Sequence, residues 1–76
     1  MRHSEFWQLA EDEFGSAYAR TIVRDQVLEA LGGRTSEQAL SAGVRPREVW
    51  VALCDAMDVP DQRRWGRDAK DRHRAR

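Results

Sequence analysis

The sequence predicts an all-α fold: a small bundle of four short helices followed by a polar C-terminal tail. Three observations point there. Apolar residues recur at intervals of three and four in four separate stretches, the spacing that lines one side of a helix. Gly15, Gly32-Gly33, Gly43 and Val59-Pro60 divide those stretches, and glycine and proline are the residues that end helices. Of the 76 residues, 41% are apolar and three are Trp. That suffices for one small core, in a chain short enough to bury only roughly 60–65% of its unfolded surface.

The first helix is expected over 5–14. Ser4 offers an N-cap oxygen, and Phe6, Leu9, Ala10 and Phe14 share a face. Glu11, Asp12 and Glu13 crowd its C-terminal end, where the helix dipole disfavours acids. The second helix is expected over 17–31. Ala19, Ile22, Val23, Val27, Ala30 and Leu31 give it a broad apolar face, flanked by Tyr18 and Leu28. Arg20 and Arg24 form an i,i+4 ridge on its wet side, and Gly32-Gly33 ends it.

The third helix, over 36–42, is short. Thr35 followed by Gln38 is a capping box, in which each side chain bonds a free backbone amide of the other. Ala39 and Leu40 are its apolar residues, and Gly43 ends it. The fourth helix, over 46–58, starts at Pro46, a residue suited to the first helical position. Val49, Trp50, Leu53, Cys54 and Met57 form its stripe, and Val59-Pro60 stops it. Residues 61–64 allow one further turn, with Trp65 folding back. Residues 1–65 therefore read as a single helical domain. Residues 66–76 contain no core residue and read as a charged, disordered tail.

Thirteen basic and thirteen acidic side chains cancel, so there is no global attraction to nucleic acid. The distribution is uneven. Residues 1–33 carry three Arg against six acids, and residues 34–58 three against four. Residues 59–76 carry seven Lys or Arg against three acids. An acidic body thus precedes a basic tail. The single cysteine, Cys54, excludes an internal disulfide and fits a reducing compartment. No apolar run resembles a signal peptide or a membrane span. A cytoplasmic protein without membrane contact is expected.

The third and fourth helices carry the clearest functional pattern. A helix-turn-helix needs a small residue where its helices cross, a turn residue free to take positive φ, and an apolar residue to close the angle. Ala39, Gly43 and Val49 stand at that spacing. The fourth helix would then read DNA through Arg45, Arg47 and Glu48 near its start. Against this, Trp50, Val51 and Cys54 are apolar where base readers are polar, and the segment is net acidic. Arg63, Arg64 and Arg67 could add phosphate contacts, with Trp65 stacking on a base, although interleaved Asp61, Asp68 and Asp71 dilute the field.

Catalysis finds little support. His3 and His73 lie near opposite ends, and Cys54 sits on an apolar stripe, where a thiol is inert packing. No nucleophile–base grouping or phosphate loop is present. With no His or Cys beside the acids of the first helix, no metal site or cofactor is expected. Surface aromatics offer an alternative. Trp7 and Trp50 each follow an inward-facing residue, so either could border an exposed apolar patch, and Trp is enriched at binding hot spots.

The chain also resembles a known family. The opening Met-Arg-x-Ser-Glu-Phe-Trp is followed by Phe14-Gly15-x-Ala17-Tyr18-Ala19-Arg20 and Leu31-Gly32-Gly33-Arg34-Thr35. Ala39-Leu40-x-Ala42-Gly43 and Val49-Trp50-x-Ala52-Leu53-Cys54 complete the order. These blocks, over residues 1 to about 65, resemble a family of small actinobacterial proteins known as domain of unknown function 3046. The resemblance implies no activity, cofactor or catalytic residue. It implies a genomic setting beside the recombinase A gene and its regulator, and hence a link to DNA repair or its control. The expected function is a helical binding or adaptor module, not an enzyme, meeting a protein partner through Trp7, Trp50, Val51 and Arg47. The alternative is DNA binding through the helix-turn-helix.

Overall fold

The computed structural model describes residues 1–65, and the expected tail, with Arg67, lies outside them. The described residues are mostly helical, with five helices and one two-stranded sheet among them rather than four helices alone. The order is α1 (His3–Phe14), α2 (Ser16–Asp25), β1 (Val27–Leu28), a 3₁₀ turn (Glu29–Leu31), β2 (Arg34–Thr35), α3 (Ser36–Ser41), α4 (Pro46–Ala56) and α5 (Asp61–Arg64).

Helix α1 starts at His3, not after Ser4. The Glu5 carboxylate accepts from the Arg2 backbone N–H at 3.1 Å, which satisfies a free amide without a serine cap. Gly15 lies at φ 87° and is the sole residue between α1 and α2. A backbone in that region suits glycine alone without strain. The chain therefore reverses in one residue, and α1 and α2 pack side by side.

The expected second helix is corrected most. It ends at Asp25, and Gln26 is extended at φ −76°, ψ 114°. Val27 and Leu28 then pair antiparallel with Thr35 and Arg34. The 3₁₀ turn and two positive-φ glycines, Gly32 and Gly33, close the hairpin. Burial explains the switch. On a continuing helix Val27 would share the inner face of Val23. Instead Val27 is 54% exposed and Leu28 is buried, the alternation of a strand. The β-branched Val27 and the paired glycines favour that outcome.

Helix α3 begins as expected. Gln38 N–H donates to Thr35 Oγ1 at 3.2 Å, and Thr35 N–H donates to Gln38 Oε1 at 2.9 Å. Gly43, at φ 93°, turns the chain, and Val44 N–H bonds the Ala39 carbonyl at 3.0 Å. Helix α4 follows from Pro46 and ends at Ala56 rather than at 58.

The core joins α1, α2, α4 and the hairpin. Phe6, Val23, Leu28, Val49, Trp50, Leu53 and Cys54 are its largest apolar members. Trp50 is the hub. Its ring stands edge-on to Phe6 at 5.9 Å and to Phe14 at 6.2 Å, the geometry that aromatic quadrupoles favour.

Candidate functional site

Trp50 is 0% exposed, which corrects the expectation that it anchors a partner. Position 50 falls on the α4 stripe with Leu53 and Cys54, so packing takes the whole indole. Its N–H, which must find an acceptor once buried, donates to the Arg64 carbonyl at 2.6 Å. Val51 stays half-buried, and Arg47 is exposed. The Arg47 guanidinium lies 4.7 Å above the Trp65 ring, a cation–π contact. Three of the four expected contact residues thus sit on α4: Trp50 faces inward, while Arg47 and Val51, one turn apart, share its outer ridge.

The α3–α4 pair has helix-turn-helix spacing in three dimensions. Ala39 and Val49 are fully buried, and Gly43 takes the positive φ. The outer face of α4 does not resemble a DNA reader. Arg45, Arg47 and Glu48 are exposed near its start, followed by the half-buried Val51 and the exposed Asp55. Asp55 is bonded by Arg64 at 2.8 Å, and Trp65 lies on Arg47. Arg63 is turned to Glu13 at 3.0 Å. Among the described cations expected to meet DNA, Arg63 and Arg64 are therefore engaged by the protein's own acids and Arg47 by stacking. The acids of α1, unfavourable for their own helix, gain a purpose: Glu13 receives Arg63.

A different feature stands open to solvent. Trp7, half-buried on α1, forms one wall of an open cleft of about 410 Å³ with Glu11, Arg20, Arg24 and Glu37. Trp7 and Glu11 are one turn apart on α1, and Arg20 and Arg24 one turn apart on α2. The reversal at Gly15 brings those ridges together, and α3 adds Glu37. Trp7 rests edge-on against Phe6 at 6.0 Å, so the core fixes one side of the indole. Arg24 is held by Asp25 at 3.2 Å, and this bond, with its charge, raises the Arg24 pKa. Among the described residues Glu11, Arg20 and Glu37 have no ion-pair partner. The sequence singled out Trp7, the Glu11–Glu13 acids and the Arg20–Arg24 ridge separately, without joining them to one another or to Glu37. The signal was available: two i,i+4 pairs on helices joined by a single glycine.

Among the described residues, no group of three or more His, Cys, Asp or Glu is placed to hold a metal ion. No helix among them is long and apolar enough to cross a membrane. Cys54 is fully buried, and burial pushes its thiol pKa up to about 12, away from the reactive thiolate.

Fold and cleft together define a small, mostly helical domain that carries an open, charged, aromatic-walled surface. The chain belongs to the family described as Protein of unknown function (DUF3046), whose model matches residues 1–62. It is also similar to the "Putative envelope-preserving system protein Rv2742c" of Mycobacterium tuberculosis, with 50% identity over 36 residues. That match spans 47% of this chain and 13% of the relative's length. No solved structure matches the chain significantly.

Proposed function

We propose that this chain is a protein-binding module that engages its partner through the cleft beside Trp7. The observation that carries the reading is the convergence of a half-exposed indole with three charged groups that have no internal ion pair among the described residues. A rigid aromatic wall contributes contact area at small entropic cost, and flanking charges of both signs select a partner. The fitting partner segment brings an apolar side chain to Trp7, a carboxylate to Arg20, and a cation to Glu11 or Glu37. The mycobacterial relative is named for an envelope-preserving system. The 36 shared residues form a small part of it, as a docking module within a longer chain would.

The alternative, DNA reading by α4, draws support from the spacing of Ala39, Gly43 and Val49. The balanced charge of the outer face of α4, where Glu48 and Asp55 offset Arg45 and Arg47, and the engagement of Arg63 and Arg64 with the protein's own carboxylates oppose it, since binding to duplex depends on cations free to meet phosphate.

Site-specific photocrosslinking in an actinobacterial host tests the proposal. A crosslinking side chain at position 24, beside the cleft, is expected to trap one partner that the same group at position 58 does not. Arg20→Glu should abolish that adduct without changing the helical circular dichroism. Adducts of equal yield from both positions, or adducts indifferent to Arg20→Glu, would refute the cleft. Duplex binding that survives Arg20→Glu and is lost with Arg45→Ala and Arg47→Ala would favour α4 instead.

A further inference from the structure

We propose that α5 is an ionic strap that closes over the Trp50 edge and Cys54 and opens as a unit while α1 to α4 stay folded. Four residues cannot sustain a helix on local bonds alone, and no residue of α5 is buried. Its attachment is almost wholly polar. Arg63 meets Glu13 at 3.0 Å, and Arg64 meets Asp55 at 2.8 Å and Asp61 at 3.4 Å. Arg64 Nε also donates to the Val59 carbonyl at 2.9 Å, and the Arg64 carbonyl accepts from the Trp50 indole at 2.6 Å. Trp65, half-buried against Arg47, is the apolar anchor.

Each pair joins a side chain mostly in solvent (Asp55 at 63%, Asp61 at 93%, Arg63 at 57%) to one largely covered (Arg64 at 16%, Glu13 at 13%). Ion pairs open to solvent on one side remain subject to screening by salt, though less than pairs exposed on both. The core beneath depends on other residues: Phe6, Val23, Leu28, Val49 and Leu53 all come from α1, α2, β1 and α4. The strap and the body are therefore held by different forces, the first sensitive to ionic strength and the second to denaturant. Segments held in this way open locally, below the threshold of global unfolding.

What lies beneath is identifiable. The indole edge of Trp50 faces the Arg64 carbonyl. Cys54 lies at the strap's foot: its carbonyl accepts from the Val59 N–H at 2.9 Å, the Val59 carbonyl accepts from Arg64 Nε at 2.9 Å, and Arg64 pairs with the adjacent Asp55 at 2.8 Å. Cys54 is the sole cysteine of the chain, so a thiol reagent reports on this place alone.

The test is the labelling of Cys54 in the full chain by a neutral aromatic disulfide, with each rate divided by that of the urea-unfolded chain in the same salt. The normalised rate is expected to be independent of urea well below the unfolding transition. It should rise about tenfold between 0.1 and 1 M NaCl, as screening shortens from about 10 Å to about 3 Å. Arg64→Gln should label about tenfold faster at 0.1 M NaCl and lose the salt response, although removing that cation by itself makes the thiolate harder to form. Arg63→Gln, which touches only the Glu13 pair, should give a smaller increase and serves if Arg64→Gln does not fold. The inference is overturned if labelling rises from the first addition of urea with the full slope of global unfolding, or if the normalised rate is indifferent to salt.

Discussion

Replacing Trp50 by Phe separates its two candidate roles, core and contact surface, by free energy. The six-membered ring of Phe can keep the edge contacts with Phe6 and Phe14, at 5.9 and 6.2 Å in the native chain. The substitution removes the five-membered ring and the N–H bonded to the Arg64 carbonyl at 2.6 Å. Losing one net hydrogen bond costs about 1 kcal/mol, and the vacated space, in a site with no exposure, costs roughly 1–2 kcal/mol. The expected loss is therefore about 2–3 kcal/mol. A domain of this size has in total roughly 4–11 kcal/mol. With a urea slope of about 1 kcal/mol per M, the midpoint should fall by about 2 M or more, read by far-UV circular dichroism because the substitution alters the fluorescence. Trp65→Phe, at a half-buried site, should cost about 1 kcal/mol or less. A Trp50→Phe variant within about 0.5 kcal/mol of the native chain would refute the hub and return Trp50 to the surface.

Neighbouring residues should respond with opposite signs. Thr35→Ala removes the N-cap oxygen of α3 and should cost about 1 kcal/mol in urea unfolding. Ser36→Ala should stabilise by about 0.5–1 kcal/mol, because the Ser36 hydroxyl is buried without a hydrogen-bond partner and its removal ends a desolvation cost. Gly43→Ala should cost about 1–2 kcal/mol from left-handed backbone strain alone, since no atom lies within 4 Å of the added Cβ. Raising the pH should weaken the fold through Cys54, whose folded thiol titrates near 12 against an ordinary value of 9.0. Stabilisation by the protonated thiol is complete below about pH 9 and declines as pH rises towards 12, at up to about 1.4 kcal/mol per unit. Unfolding measured at pH 9 and 10.5 should differ by about 1.5–2 kcal/mol more in the native chain than in Cys54→Ala.

The legible parts of the fold were those governed by local chemistry. The Thr35–Gln38 box, Pro46 at the head of α4 and Gly43 in the turn each act within four residues, and each does in three dimensions what its sequence context implies. The second helix failed because its expected continuation relied on periodicity alone. Val27, Ala30 and Leu31 fit a helical face, but the pairing of Val27 with Thr35 and Leu28 with Arg34 joins residues eight and six positions apart, which periodicity does not register. Trp50 failed for a related reason. Its angle on α4 was readable, but α1 and α5 decide which sectors of that helix are covered, and both are remote in sequence. Trp7 was legible as a candidate because it follows the inward-facing Phe6 and so turns off the core face. Its partners on α2 and α3 were not, since their convergence depends on the one-residue reversal at Gly15.

The packing of α4 bears directly on where a partner can be met. One side of this helix is core: Val49, Trp50, Leu53 and Cys54 are fully buried. Its outer side is approached by α5, with Trp65 on Arg47 and Arg64 on Asp55. A recognition helix must instead keep its outer sector free and cationic to enter a groove lined with phosphates. The same α3–turn–α4 geometry therefore serves packing here, with the small Ala39 and the bend at Gly43 bringing two helices close enough to seal the core. The outer ridges of α1 and α2 hold Trp7, Glu11, Arg20 and Arg24 in an open cleft that, among the described residues, only Glu37 of α3 borders further. On the proposal above, lifting the strap would widen the surface that α4 offers through Arg45, Arg47 and Glu48. The Arg20→Glu and Arg64→Gln variants thus probe two separable surfaces, and a partner lost with the first but retained with the second belongs to the cleft.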